Sequence, residues 1–406
     1  MAFSLDMRSG PALVDPWLVC KSQFAQGIDL AARPGRKTWC PDPEAHVLAA
    51  AAPTIVEQIL GSAARAAASD VHFELRDRMV VRVRKDGALK PVFGAPRPLG
   101  QFIMGRLKAL AELPLCPGAR PEGRFSMRVG SNTIAMRLSF AGLADGEKAV
   151  VRLLNTCAHP ALRLLGFTEE DLGRYDLLIR SPGLVLIAGP AGSGKTTTLY
   201  ASLMRLARPE TNVVSLEDPV EMILPVVQIS VDHRRETFES CLASVMRQDP
   251  DVIAIGEIRD HDSAVTAVRA ALTGRTALAS IHAQDTIGAA YRLADLGLPM
   301  SLISAAISGA VSQRLVRKIC RTCLGTGCDE CDHTGYNGRI GVFEVVSFPP
   351  WLLQAIANGA SLEAARTMCW RLDQHCIQRP GERKACAGMV TTTEMMEVFA
   401  EGGGGK

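Results

Sequence analysis

The chain has 406 residues, with 45 Lys and Arg against 42 Asp and Glu, a formal charge of +3 and both signs interspersed along its length. That length predicts two or three domains with separate cores, and the near-balanced charge gives no support for a dedicated nucleic-acid binder. The first residues include Asp6, Arg8 and Asp15 without a continuous apolar run, so no secretory signal is read there. The uncharged stretch 297–313 is interrupted by Pro299, Gly309 and several serines and falls short of the ~20 apolar residues of a membrane span. The expectation is a cytoplasmic protein, with any membrane association peripheral. In that setting the 12 cysteines are read as reduced thiols. Clustered ones are metal ligands, and scattered ones such as Cys116 and Cys241 are small buried hydrophobes.

Residues 1–48 hold Pro11, Pro16, Pro34, Pro41 and Pro43 without sustained periodicity and are read as an irregular leader. From Pro53 onward, Ile55, Ile59, Leu60, Ala63, Ala64 and Ala67 fall at helical spacing. Val71–Leu75 and Met79–Arg84 read as strands, followed by a turn at Lys85-Asp86-Gly87. A second helix fits Phe102–Leu113, and Arg124–Val129 with Ile134–Phe140 reads as a hairpin turning at Gly130-Ser131-Asn132. Residues 49–154 are thus predicted to form an α+β domain. Residues 155–165, with Pro160 as a breaker, are read as a linker. Beyond it the apolar runs Leu184–Ala188, Val213–Leu216, Val252–Ile255 and Ala277–Ile281 alternate with helical segments. That alternation predicts an α/β core over 166–313 with a mostly parallel sheet covered on both faces. A cysteine cluster within 314–345, a helical region over 346–400 and a disordered glycine tail at 401–406 complete the expectation.

Chemistry concentrates behind the first of those runs. Gly189, Pro190, Ala191, Gly192, Ser193, Gly194, Lys195 and Thr196 fill every position of a phosphate loop, with Thr197 continuing into a helix-compatible stretch. Its glycines let backbone N–H groups turn toward phosphates, Lys195 supplies a point charge to the β and γ phosphates, and Thr196 offers a hydroxyl to Mg2+. ATP binding is the expectation. Each later polar cluster falls at the C-terminal end of a predicted strand, where open α/β sheets bind ligands. Glu217-Asp218-Pro219-Val220-Glu221 offers the carboxylates Glu217 and Glu221 to Mg2+ or its waters, unless the acidic turn only caps a helix. The strand over 249–260 ends in Gly256-Glu257, which would put the Glu257 carboxylate beside the γ-phosphate to orient or deprotonate water, so Glu257 is assigned as the catalytic residue. Thr273–Thr276 leads a strand to Ser280-Ile281-His282-Ala283, bringing His282 to the same edge, although His282 alone reads as a structural histidine.

Cys320-x-x-Cys323-x4-Cys328-x-x-Cys331 forms two knuckles able to wrap one Zn2+. Four thiolates make a closed, structural site with no position for water, and His333 is read as a bystander.

The four clusters, in this order, resemble the Walker A, Asp box, atypical Walker B and His box of the secretion ATPase superfamily. The similarity runs over residues 53–400 and is greatest with the type II secretion and type IV pilus assembly branch. It includes Ser69-Asp70-Val71-His72-Phe73-Glu74 and Arg82-Val83-Arg84-Lys85-Asp86-Gly87. The resemblance implies a RecA-like ATPase core preceded by a smaller PAS-like α+β domain. It also implies a homohexamer with nucleotide between the two domains and N-terminal arginines that reach the phosphates on closure. Arg82, Arg84, Arg124 and Arg137 occupy matching strand positions, with Arg84 and Arg137 preferred. An arginine fork neutralises charge on the transferred phosphoryl, whereas arginines on an exposed strand face can simply solvate it. The tetracysteine segment and Gly335–Glu344 resemble assembly motors rather than retraction motors. The implied function is a motor that assembles pilins or pseudopilins through a platform protein, working peripherally at the inner face of the bacterial inner membrane. Three departures stand out: Arg275 follows Gly274 where the His box has histidine, about fifty irregular residues stand in place of a partner-docking domain, and only four residues separate the knuckles. Two alternatives remain. One is a conjugation-type or DNA-transporting motor; the other treats Cys320–Gly327, which is similar to J-type chaperone zinc repeats, as a substrate-binding module.

Overall fold

The computed structural model describes residues 43–114, 121–154, 161–232, 236–331, 333–370 and 377–401. Expectations for the leader before residue 43, Cys116, the linker residues 155–160 with Pro160, and the glycine tail at 402–406 lie outside the described residues. The chain divides into two compact units, one ending at Ala158 and one beginning at His159, the short segment Thr326–Thr334 of the cysteine loop apart.

The first unit runs α1 (Pro43–Arg65), β1 (Asp70–Leu75), β2 (Arg78–Lys85), β3 (Ala88–Pro96), α2 (Arg97–Leu110), β4 (Glu122–Val129), β5 (Asn132–Leu143) and β6 (Gly146–Leu154). Its six strands form one sheet in the order β3-β2-β1-β6-β5-β4, antiparallel throughout. Period-two alternation puts Val71, Phe73, Val81, Val83, Leu138 and Val151 on one face, packed in a single core with Val56, Leu60 and Ala63 of α1 and Ile103 and Leu107 of α2. The other face is mostly polar, with Val80, Ala135 and Val150 among the polar side chains.

The helix α1 starts ten residues before the expected Pro53, so residues 43–48 are helical and not part of an irregular leader. The reason is the run Val47-Leu48 followed by four alanines, whose helix propensity carries the turn through an internal proline. By length and composition Val47–Arg65 could cross a membrane, but its apolar stripe is what the sheet packs against. Helix α2 lies earlier than Phe102–Leu113 because Pro98 is accommodated in the first turn, where its missing N–H costs nothing. The strand β3 was not expected, since Pro91 and Gly94 break its pattern; it is tolerated as the sheet's edge.

The second unit contains a short 3-10 turn (Leu162–Leu164), α3 (Glu169–Leu178), β7 (Gly183–Ala188), α4 (Lys195–Leu206), β8 (Val213–Glu217), β9 (Val227–Ser230), α5 (Phe238–Met246), β10 (Val252–Ile258), α6 (His261–Leu272), β11 (Thr276–Ile281), α7 (Thr286–Asp295), α8 (Met300–Ala306), β12 (Ile307–Ile319) and β13 (Tyr336–Ser347). Four C-terminal helices follow: α9 (Pro350–Ala357), α10 (Leu362–Trp370), α11 (Gln378–Cys386) and α12 (Thr392–Glu401). The seven strands lie in the order β13-β12-β7-β11-β10-β8-β9, and every neighbouring pair is parallel except β12 with β13. Helices cover both faces, so the central strands β7 and β11 are buried at almost every position, giving continuous apolar runs instead of alternation.

The expected end of the core at residue 313 is corrected by this sheet. Residue 313 lies inside β12, and the sheet continues through β13 to Ser347. The cysteine segment is therefore the tip of a long hairpin. The last helix and the residues just before it are clamped to the hairpin beside the cysteine tip: Arg317 Nε donates to Glu394 at 2.7 Å, Tyr336 and Thr391 hydroxyls meet at 3.0 Å, and Ile319 N–H donates to Met389 O at 2.9 Å.

Candidate active site and cysteine centre

The phosphate loop leaves β7 at Gly189 and enters α4 at Lys195. Gly194 is the N-cap at φ 89°, in the left-handed region that favours glycine, so the loop can close without strain. A Cβ on Gly189 would come within 2.7 Å of Gln313 O, a contact no side chain tolerates. Lys195 is buried and folds back over the loop, donating to Gly189 O and Pro190 O at 3.0 Å each. Burial lowers its pKa, the neighbouring Glu257 carboxylate works in the opposite sense, and Arg314 adds to the lowering. Such an ammonium lies ready to exchange two carbonyls for phosphate oxygens. Thr196 is half-buried at the start of α4, and Thr197 is exposed.

Glu217 ends β8 with 3% of its surface exposed. Three neutral donors hold its carboxylate: the Tyr200 hydroxyl from α4, Ser215 Oγ at 2.6 Å and Gln228 Nε2 at 3.0 Å from β9. Tyr200 in turn accepts from the Glu221 backbone N–H at 3.2 Å, and burial together with the Glu217 charge raises its pKa. Glu217 is thus fixed by groups from three strands and helices, while Glu221 is exposed. Removing the Tyr200 hydroxyl as Tyr200→Phe leaves a buried carboxylate one donor short. A loss of about 1–3 kcal/mol in stability and about tenfold in kcat is expected; thermal unfolding and phosphate-release assays would measure both, and an unchanged kcat would exclude Glu217 orientation from the reaction.

Glu257 sits where β10 and β11 slip register, between Ile255 and Ile258. A bulge of this kind re-aims a side chain at a sheet rim. Oε1 of Glu257 lies 2.9 Å from His282 Nε2, and Oε2 accepts from Arg259 Nε. His282 follows the end of β11, and its pKa is lowered by burial and by Lys195, against the pull of Glu257. Gly256 beside it lets Glu217 pack closely, since a Cβ there would come within 3.2 Å of the Glu217 side chain. Lys195, Glu217, Glu257 and His282 thus stand at the C-terminal ends of adjacent parallel strands, where such sheets bind ligands.

Arg275, the departure in the His box, is elsewhere. It precedes β11, whose whole length separates it from His282, at the opposite end of the strand. There its Nε donates to Pro250 O at 2.6 Å and its guanidinium faces Asp249 at 3.6 Å. It is a tie at the N-terminal rim of the sheet, so its cation does not enter the phosphate end.

In the first unit the polar sheet face carries a register-aligned row: Arg84, Asp70, Arg152, Arg137 and Arg124 from β2, β1, β6, β5 and β4. Arg152 pairs with Asp70 at 2.9 Å, Arg137 with Glu122, and Arg84 donates to Gly87 O at 2.6 Å. Arg82 sits one row along and pairs with Glu74. Arg152 was missed because β6 was not expected; alternation through Ala149, Val151 and Leu153 was the available signal.

The four cysteines converge, with Cys320, Cys323, Cys328 and Cys331 Sγ all within 4.8 Å of one another. Cys328 and Cys331 Sγ are 3.8 Å apart, the edge length of a tetrahedron with metal–sulfur bonds of about 2.3 Å. The Cys328 backbone N–H donates to Cys331 Sγ at 3.3 Å, tying the second knuckle together. Leu324, Gly325 and Gly327 at positive φ fold the loop so tightly that four residues between knuckles suffice. His333 stays outside the set and pairs with Asp329 at 3.2 Å. The four donors fit a zinc ion, and among the described residues no other metal-ligating side chain joins the group.

A family model described as Type II/IV secretion system protein matches residues 46–397. The type II secretion system protein HxcR of Pseudomonas aeruginosa is 38% identical over 358 residues, covering 85% of this chain and 76% of that one. The type II secretion system ATPase E of Vibrio cholerae is 34% identical over 378 residues, covering 86% and 75%. Among solved structures, the ATPase DotB of Legionella pneumophila superposes with a TM-score of 0.68 at 17% identity, over 91% of this chain and 98% of that one. The pilus retraction motor PilT with bound ADP gives 0.61 at 23% identity, over 85% and 96%. At those identities the structural likenesses speak for the fold. With the family model spanning most of the chain and relatives above one-third identity, this protein belongs to the Type II/IV secretion system protein family.

Proposed function

We propose that this chain, a secretion ATPase of that family, is a hexameric motor that drives assembly of a type IV pilus or a type II secretion pseudopilus. It works from the cytoplasm at the inner membrane, through an integral platform protein. The observation that carries the reading is Glu257, aimed by a bulge at the end of β10 and gripped by His282 and Arg259 at the same sheet edge as the phosphate loop. In the proposed reaction Glu257 orients and deprotonates the attacking water, and Lys195 leaves its carbonyls for the β and γ phosphates. Thr196 and Glu221 are the groups available to Mg2+ or its waters, with Glu217 fixed behind them; bound Mg2+ would neutralise phosphate charge. Arg84, Arg124 and Arg137, with Arg82, are the cations proposed for the transferred phosphoryl. The cysteine centre stabilises the hairpin, and no direct nucleic-acid contact is required.

Light scattering after size-exclusion chromatography, run on Glu257→Gln with ATP, tests assembly, and co-purification from native membranes tests the platform. A six-subunit mass and a captured integral membrane protein of the pilus or secretion apparatus are expected. A monomer at all nucleotide concentrations would overturn the motor, and hydrolysis stimulated by DNA would replace it with a DNA-transporting one.

A further inference from the structure

We propose that Gln313 and Arg314, adjacent on β12, are positioning residues of the hydrolysis site: Gln313 orients the phosphate loop and Arg314 fixes the segment behind His282. Strand alternation sends the two side chains to opposite faces of the sheet. Val311, two residues before Gln313, belongs to the core on the α4 face, whereas Ala310 belongs to the core on the α7 face with Arg314's side of the strand. One dipeptide therefore reaches both halves of the site.

Gln313 is 1% exposed, and its Nε2 donates to Ser193 O at 2.6 Å. The register brings Ser312 opposite Ala188, so Gln313 stands beside the point where β7 becomes the loop. Two of the loop glycines rest against it: a Cβ on Gly189 would meet Gln313 O, and one on Gly194 would come within 3.2 Å of Gln313 Nε2. The consequence follows from peptide geometry. In a trans peptide the C=O and the next N–H point in opposite directions. Turning Ser193 O down onto Gln313 therefore turns the Gly194 N–H the other way, toward the side on which such loops present N–H groups to phosphate. Gln313 does not touch nucleotide; it sets the direction of a group that would.

Arg314 is 5% exposed, and its guanidinium donates to two backbone oxygens, Gln284 O at 2.8 Å and Gln313 O at 3.1 Å. Among the described residues no carboxylate lies within ion-pair distance of it. A buried cation spent on carbonyls is costly unless its placement matters. Gln284 is two residues past His282 and precedes the Asp285 cap of α7. The same turn is held by Arg366 on Asp285 at 2.6 Å and by Glu344, which accepts from Thr286 Oγ1 at 3.1 Å. Arg314 is the member of this set that also bonds the Gln313 backbone, so loop and turn share one support.

The inference rests on the ATPase assignment, and wild-type turnover measured alongside keeps the two apart. Gln313→Met preserves shape without the donor. It is expected to weaken MgATP binding about tenfold, the scale of one buried hydrogen bond, and to shrink the nucleotide-induced rise in melting temperature. Arg314→Lys keeps the charge and loses the fork; kcat should fall about tenfold with KM within about twofold of wild type. A purely structural role would lower the nucleotide-free melting temperature alone. Gln313→Met with wild-type affinity, or Arg314→Lys with wild-type kcat, overturns the proposal.

Discussion

Glu257→Gln is expected to reduce ATP turnover by about 10^2- to 10^4-fold, the usual contribution of a positioned general base, while ATP still binds. The amide keeps the volume and can still meet His282 Nε2, now 2.9 Å from a carboxylate oxygen. It loses the charge that Arg259 grips and the proton affinity the reaction needs. Binding should hold or tighten slightly, because Glu257 is also the nearby anion acting on Lys195; without it the ammonium is freer to turn to phosphate. Phosphate release and titration with a fluorescent nucleotide separate the two quantities. Turnover within about threefold of wild type would remove Glu257 from its role. A parallel loss of binding would mean that the substitution had disturbed the phosphate loop instead.

What the sequence revealed of this site was what lies contiguous in the chain. The phosphate loop is eight consecutive residues behind an apolar strand, and Gly256-Glu257 ends another, so both could be placed without knowing how the strands are ordered. The supports could not. Glu217 is held by Tyr200 on the loop's own helix and by Gln228 on a four-residue edge strand, 17 and 11 residues away. Nothing local marks a tyrosine or a glutamine as a carboxylate's partner. Arg275 shows the limit of contiguity: it shares one sequence motif with His282, but an extended strand separates the two ends of that motif by its full length. Gln313 was hidden in an uncharged stretch that turned out to be half helix and half strand. In the first unit, alternation revealed the hairpin of β4 and β5, while Pro91 and Gly94 concealed β3. The aligned arginine row needed strand register, which composition does not carry.

Cys323→Ser is expected to remove the bound zinc, from about one ion per chain to nearly none, because three thiolates and a hydroxyl no longer close the tetrahedron. Zinc-finger peptides unfold entirely without their metal, but this loop is built differently. Its hairpin is anchored below the tip by β7, which pairs with β12 from Ile307 to Ser312. The loss should therefore be local. The tip over 320–335 and the clamp formed by Arg317 with Glu394 and Tyr336 with Thr391 would loosen first, freeing α12 while the ATPase sheet stays intact. Hydrogen exchange should speed up over 320–335 and 390–400 and remain protected in β7 and β11. Metal content by elemental analysis and basal ATP turnover complete the test. A wild-type protein that is folded, protected in this loop and free of zinc would refute the metal centre. Global unfolding of Cys323→Ser would instead make the knuckle a requirement for the whole second unit, and the anchoring of β12 on β7 would then be too weak to act alone.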